Sequence, residues 1–90
     1  MKFDEALDIW IGDYVQIKDT FKEVTVLDKS VFCNEYIYDI VPSNNIYEGN
    51  SVIITCNDGC KYHHSRLKSF KRSRENKRLI KRMTEIYESL

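Results

Sequence analysis

Residues 51–64 decide the fold: Ser51-Val52-Ile53-Ile54-Thr55-Cys56-Asn57-Asp58-Gly59-Cys60-Lys61-Tyr62-His63-His64. Asn57-Asp58-Gly59 separates two β-forming runs. A three-residue loop of this kind closes an antiparallel hairpin as a type I turn followed by glycine in the left-handed conformation, which glycine adopts without a Cβ clash. The same stretch carries Cys56, Cys60, His63 and His64, the residue types that zinc prefers as ligands. The spacing Cys56-x3-Cys60-x2-His63 is looser than that of a zinc knuckle, and the two cysteines flank the turn as cross-strand neighbours. The preferred reading is therefore small buried residues beside two surface imidazoles, with Cys56, Cys60 and His63 as the ligands should a metal bind. Three cysteines in a chain read as cytosolic are expected as free thiols rather than as a Cys56–Cys60 disulfide.

Upstream, Tyr14-Val15-Gln16-Ile17-Lys18 alternates apolar with polar residues, the period-2 mark of a half-buried strand. Phe21 to Leu27 repeats the pattern with Val24 and Val26 on one face, and Asp28-Lys29-Ser30 reads as a turn. Val31 to Val41 is dense in β-formers but longer than the usual five or six residues, so a bend or bulge is expected near Asn34-Glu35. Pro42-Ser43-Asn44-Asn45 and Glu48-Gly49-Asn50 read as loops. Phe3, Leu7 and Trp10 share one face of a short helical turn leaning on the body.

Downstream the period changes. Leu79, Ile80, Met83, Ile86, Tyr87 and Leu90 form one stripe of a 3.6-residue helix starting after Ser69 or Ser73, with Ser73 as N-cap and Glu75 in the first turn. Lys71 to Arg78 holds no apolar residue. The helix is therefore expected to dock by its last three turns, on its own sheet or on a second copy, while its first two turns project into solvent. The chain then divides into an N-terminal turn (1–11), a β body (12–68) and a basic amphipathic helix (69–90) within one domain. Its fold class is α+β, mainly β: a small bent antiparallel sheet or barrel of four to five strands with a C-terminal helix.

Gly12-Asp13-Tyr14-Val15-Gln16-Ile17 resembles the opening strand of SH3-like barrels, the broad group that includes KOW and Tudor-like modules. Asp58-Gly59 followed by Leu67 resembles their closing hairpin and turn. The resemblance spans residues 12–68 in outline. It implies a small barrel and assigns no functional residue.

The 14 basic and 14 acidic residues cancel, but not locally. Residues 1–60 hold 4 basic and 11 acidic residues, residues 61–82 hold 10 basic and 1 acidic, and the last eight add Glu85 and Glu88. Such asymmetry points to nucleic-acid or membrane contact. The uninterrupted apolar runs are far shorter than the roughly 18–20 residues of a membrane span, and Asp4-Glu5 stands where a signal peptide needs apolar residues. The chain is thus expected to stay in the cytoplasm without membrane contact. Thirty-seven residues have AT-rich codons (Phe, Tyr, Met, Ile, Asn, Lys) against ten with GC-rich ones (Gly, Ala, Arg, Pro), and this usage in a short chain suits a bacteriophage or mobile-element protein.

No catalytic constellation stands out. Cys60 and His63, three apart on a strand, point to opposite faces, the carboxylates fall in no acid/base spacing, and no glycine-rich phosphate loop occurs. A non-enzymatic binding module without a cofactor is expected. Its candidate site is Lys68, Lys71, Arg72, Arg74, Lys77, Arg78, Lys81 and Arg82, with Tyr62 and His64 to stack or hydrogen-bond. On a helix, Arg74, Lys77, Arg78, Lys81 and Arg82 gather on one face, set a small rotation from the apolar stripe with Arg78 and Arg82 beside Leu79 and Met83. The partner is nucleic acid or a nucleoprotein complex. The alternatives are a host protein modulated by a small effector, a homo-oligomer formed through the Leu79–Leu90 stripe, and a small molecule held between basic helices.

Overall fold

Val15 and Ile17, Val24 and Val26, and Val52 and Ile54 each follow the every-second-residue spacing of one strand face, and all six are buried in one core cluster with Ala6, Ile9, Cys56 and Leu67. The computed structural model that shows this describes residues 1–38 and 45–90. Its elements are α1 (Phe3–Ala6), β1 (Tyr14–Ile17), β2 (Glu23–Ile37), β3 (Tyr47–Cys56), β4 (Lys61–His63), a 3₁₀ turn (His64–Arg66), β5 (Leu67–Lys71) and α2 (Arg74–Glu88). The strands form one antiparallel sheet in the order β4-β3-β2-β1-β5. The fold is α+β and mainly β. One core gathers side chains from β1 and β3, which lie on either side of β2, so the sheet curls over its apolar face.

Long β2 makes the curl. Its first residues pair with β1 (Val15 opposite Val24) and the remainder with β3 (Val31 opposite Val52). Between these sections Val26 faces Cys56 but Asp28 faces Thr55, leaving Leu27 as a bulged residue. Asp28-Lys29-Ser30 is therefore part of a continuous strand and not a turn, because a bulge bends a strand without ending its ladder. The bend expected near Asn34-Glu35 is present: the register shifts between Phe32 and Glu35, Asn34 has φ of 53°, and its N–H donates to Asn50 Oδ1 at 3.1 Å. Glu48-Gly49-Asn50 lies inside β3 opposite this bulge, so its loop-like composition serves an irregularity within the sheet. The Pro42 loop, with Ile40 and Val41, lies outside the described residues.

The hairpin at the centre of the sequence forms as read. Gly59 N–H donates to Cys56 O at 3.0 Å and Cys56 N–H to Cys60 O at 3.0 Å, with Gly59 at φ of +82°. Asp58 fixes the turn, accepting from Cys60 N–H at 3.0 Å and from the Tyr62 hydroxyl at 2.6 Å. Those two bonds hold its carboxyl below the ordinary range against the opposing effect of burial. At the N-terminus the buried residues are Ala6 and Ile9, whereas Leu7 is exposed and Phe3 and Trp10 are half-buried. Residue α1 ends at Ala6, so the helical phase that would align Phe3, Leu7 and Trp10 does not persist.

The largest departure from the sequence reading is α2. Ser73 caps it as expected, its Oγ accepting from Asn76 N–H at 3.1 Å; Ser69, the other candidate start, lies in β5. The stripe expected to dock is exposed throughout, from 36% at Ile80 to 97% at Leu90. Only Asn76 of the helix is buried. The helix is thus fastened by its first turn and stands away from the body. The radius of gyration, 14.3 Å, exceeds the about 12 Å of a compact domain of this length, and the chain exposes 6280 Å² where a globular monomer of its mass exposes about 5,500 Å². No described helix is long and apolar enough to cross a membrane.

Candidate nucleic-acid interface on the C-terminal helix

The base of α2 is held by one buried carboxylate. Asp13, fully buried at the start of β1, accepts from Trp10 N–H (2.9 Å), Ser73 N–H (2.9 Å), Asn76 Nδ2 (2.8 Å) and the Arg72 guanidinium (2.7 Å). Burial alone would raise its pKa; the bonds from Asn76, Ser73 and Trp10 and the charge of Arg72 outweigh it and hold the carboxyl below its ordinary value. Gly12 serves this turn by its backbone: its φ of +96° lies in the left-handed region that favours glycine, while a Cβ placed there would meet Asn76 Nδ2 at an ordinary contact distance of 3.6 Å. Asn76 also donates to Ile11 O at 3.0 Å. Arg72 completes the staple, with its guanidinium 5.1 Å from the Trp10 ring centre and 5.2 Å from that of Phe70 while it bonds Asp8 O at 2.7 Å.

Beyond this anchor, Arg74, Lys77, Arg78, Lys81 and Arg82 are all exposed on α2. None of them forms an ion pair among the described residues; the salt bridges present join Lys22 to Asp58, Arg66 to Asp19, Lys71 to Glu23 and Arg72 to Asp13. The carboxylates that form these pairs are thus engaged with Lys22, Arg66, Lys71 and Arg72 and not with the helix cations. At 3.6 residues per turn, the five cations centre roughly 165° around the axis from the apolar stripe. The small rotation read from the sequence is thus corrected: only Arg82 borders the stripe, and the basic and apolar faces look in opposite directions.

The other expected site residues belong to the body. Lys71 lies 3.6 Å from Glu23, and Lys68, the extra residue where β5 shifts register against β1, has its ammonium 4.6 Å from the Phe21 ring centre. Tyr62 is bound to Asp58, which together with burial pushes its hydroxyl above the ordinary range. His64 accepts from Val52 N–H at 3.2 Å and meets the edge of Phe3 at 5.9 Å. Both residues are half-buried, and their bonds tie the hairpin turn and the 3₁₀ turn to the sheet.

The candidate metal ligands have other partners. His63 is buried, not a surface imidazole; its Nδ1 accepts from Ser65 N–H at 3.2 Å, so the neutral ring donates from Nε2 to Ser51 Oγ at 2.9 Å. It stacks on Tyr47 at 3.8 Å. Burial, reinforced by the neighbouring His64, lowers its pKa to about 4. Cys56 is buried with its thiol pushed up to about 12, by burial first and then by Asp58 and Cys60. All three cysteines are free thiols, and no group of His, Cys, Asp and Glu among the described residues is arranged to hold a metal. Searches of protein-family models, curated proteins and solved structures return no match to this chain.

The sequence reading missed Asp13 and Asn76 as the residues that position α2. Asn76 sits three residues before Leu79, in phase with the stripe. A polar residue in an apolar phase, one turn after an N-cap, was the signal available.

Proposed function

We propose that this chain is a non-enzymatic binding module whose basic α2 face contacts nucleic acid. One observation carries the reading: five exposed cations on one face of a projecting helix, none paired with a carboxylate of the described residues. A phosphate backbone supplies the repeated negative charge that such a face lacks, and phosphate contacts of this kind are largely indifferent to sequence. The rigid base matters as much as the charge. Asp13, Arg72 and Asn76 fix the direction in which the helix leaves the sheet, so the cations are presented on a preset surface. In the same proposal the body is an SH3-like barrel module. Supporting this, β1 pairs directly with β5, bringing Ile17 of the opening motif opposite Leu67 of the closing one.

Gel-shift titration of labelled duplex and single-stranded oligonucleotides tests the function against the variant R74E/R78E/R82E. The expected result is loss of the shifted band with an unchanged circular dichroism spectrum, since none of the three residues supports the fold. Equal binding by the variant would sink the proposal. Loss of wild-type binding to nucleic acid, with protein bands retained from a nuclease-treated lysate, would instead favour a host-protein partner.

A further inference from the structure

The apolar face of α2 has no cover among the described residues: Leu79, Ile80, Met83, Ile86 and Tyr87, with Leu90 just past the C-cap Ser89, are exposed by 36% to 97%. Four of them, Leu79, Met83, Ile86 and Leu90, follow one another at intervals of four, three and four. This is the alternating spacing of a two-helix seam, and it reads the same from either end. Charge along the helix is not symmetric. The half from Arg74 to Arg82 holds five cations and Glu75, whereas the half from Met83 onward holds Glu85 and Glu88 and no cation.

We infer that α2 pairs antiparallel with α2 of a second copy of this chain, with Leu79 against the partner's Leu90 and Met83 against the partner's Ile86. In that register the overlapping segments hold Lys81, Arg82, Glu85 and Glu88 of each helix, a neutral set, while Arg74, Lys77 and Arg78 lie outside the overlap, and the helix dipoles oppose. A parallel pair in register would lay the two basic halves side by side. Ile80 and Tyr87 flank the seam on one side and join the buried set. At their present exposures the six side chains of two helices can bury on the order of 1,000 Å² together, the size at which specific interfaces begin. The overlap ends at Leu79, three residues beyond Asn76, so the docked first turn and the sheet stay clear of the second helix. The two basic faces point outward and centre about 20 Å apart along the pair. Pairing uses the face opposite the cations and holds whether or not the cations meet nucleic acid.

Sedimentation equilibrium of the full chain, at up to about 200 µM, gives the association state. The expected mass is twice 10.7 kDa, falling to the monomer value in M83E/I86E with the circular dichroism of the sheet retained. A monomeric wild-type chain, or a double variant that still pairs, would overturn the inference. Orientation is read by spin labels on K77C in a C33S/C60S background. Because Lys77 faces away from the seam, antiparallel pairing places the labelled positions about 25–30 Å apart and parallel pairing about 15–20 Å. The shorter distance would overturn the antiparallel register, and the longer one would support it.

Discussion

Asn76 Nδ2 donates to Asp13 Oδ1 across 2.8 Å of space and 63 residues of chain. Asp13 immediately precedes the first strand and Asn76 lies in the first turn of the last helix, so this buried contact sets how the helix leaves the sheet. Ser73 N–H donates to the same carboxylate oxygen, and the Arg72 guanidinium to the other.

Replacing Asp13 should therefore cost more than one hydrogen bond. Asp13→Ala strands Arg72, the backbone N–H groups of Trp10 and Ser73 and the Asn76 amide in a site where their partner was fully buried. A loss of about 3–5 kcal/mol is expected, as for other buried pairs broken from one side. Asn76→Ala leaves the carboxylate with its remaining donors and should cost only about 1–2 kcal/mol. Urea denaturation of the two variants checks the order; equal losses would contradict the hub role of Asp13.

Acid should destabilise the fold. In the unfolded chain an imidazole titrates near 6.5, whereas burial and then His64 lower His63 to about 4 in the native state. Between these values the unfolded chain binds a proton that the native chain does not, so this contribution is fully present above about 6.5 and is lost as the pH falls towards 4. The expected loss is on the order of 3 kcal/mol. Asp13 and Asp58, both held below the ordinary carboxylate range, extend the decline at still lower pH. Urea midpoints at several pH values test this, and His63→Gln should flatten the slope between pH 6.5 and 4. A wild-type midpoint unchanged across that interval would contradict the buried, neutral imidazole.

Thiol reactivity should divide by position. Cys33 is exposed, Cys60 half-buried and Cys56 buried with its thiol raised to about 12. Iodoacetamide under native conditions should modify Cys33 first and leave Cys56 intact until urea is added, since its thiolate fraction is roughly a thousandfold below that of a free cysteine. Peptide mass spectrometry reads the order, and early labelling of Cys56 would place it outside the core.

Much of the sheet was legible because its signals are local. Alternation fixed the faces of Val15, Ile17, Val24 and Val26, and Asn57-Asp58-Gly59 fixed the hairpin. The bulge at Leu27 was not legible as such, and Gly49, which lies opposite the bend expected at Asn34-Glu35, read as a loop: a residue that interrupts a ladder and one that ends it have the same composition, and only the partner strand distinguishes them. The helix boundary at Ser73 was read from its cap, but its docking was not. A stripe of Leu79, Met83, Ile86 and Leu90 states that something covers it and does not state what. The anchor lay in Asp13 and Asn76, whose pairing is long-range and leaves no periodic trace. For the same reason Tyr62 and His64, close in sequence to the basic residues, were grouped with them although their bonds run to Asp58 and Val52.

The central claim, that the α2 cations meet phosphate, is tested most directly by the salt dependence of binding. Fluorescence anisotropy of a labelled DNA duplex, between about 50 and 200 mM salt, should give a log-log slope near −4.5 if all five cations displace counterions. R74E/R78E/R82E should show no measurable binding at the lowest salt. Absence of wild-type binding there, or binding that does not weaken as salt rises, would contradict the account.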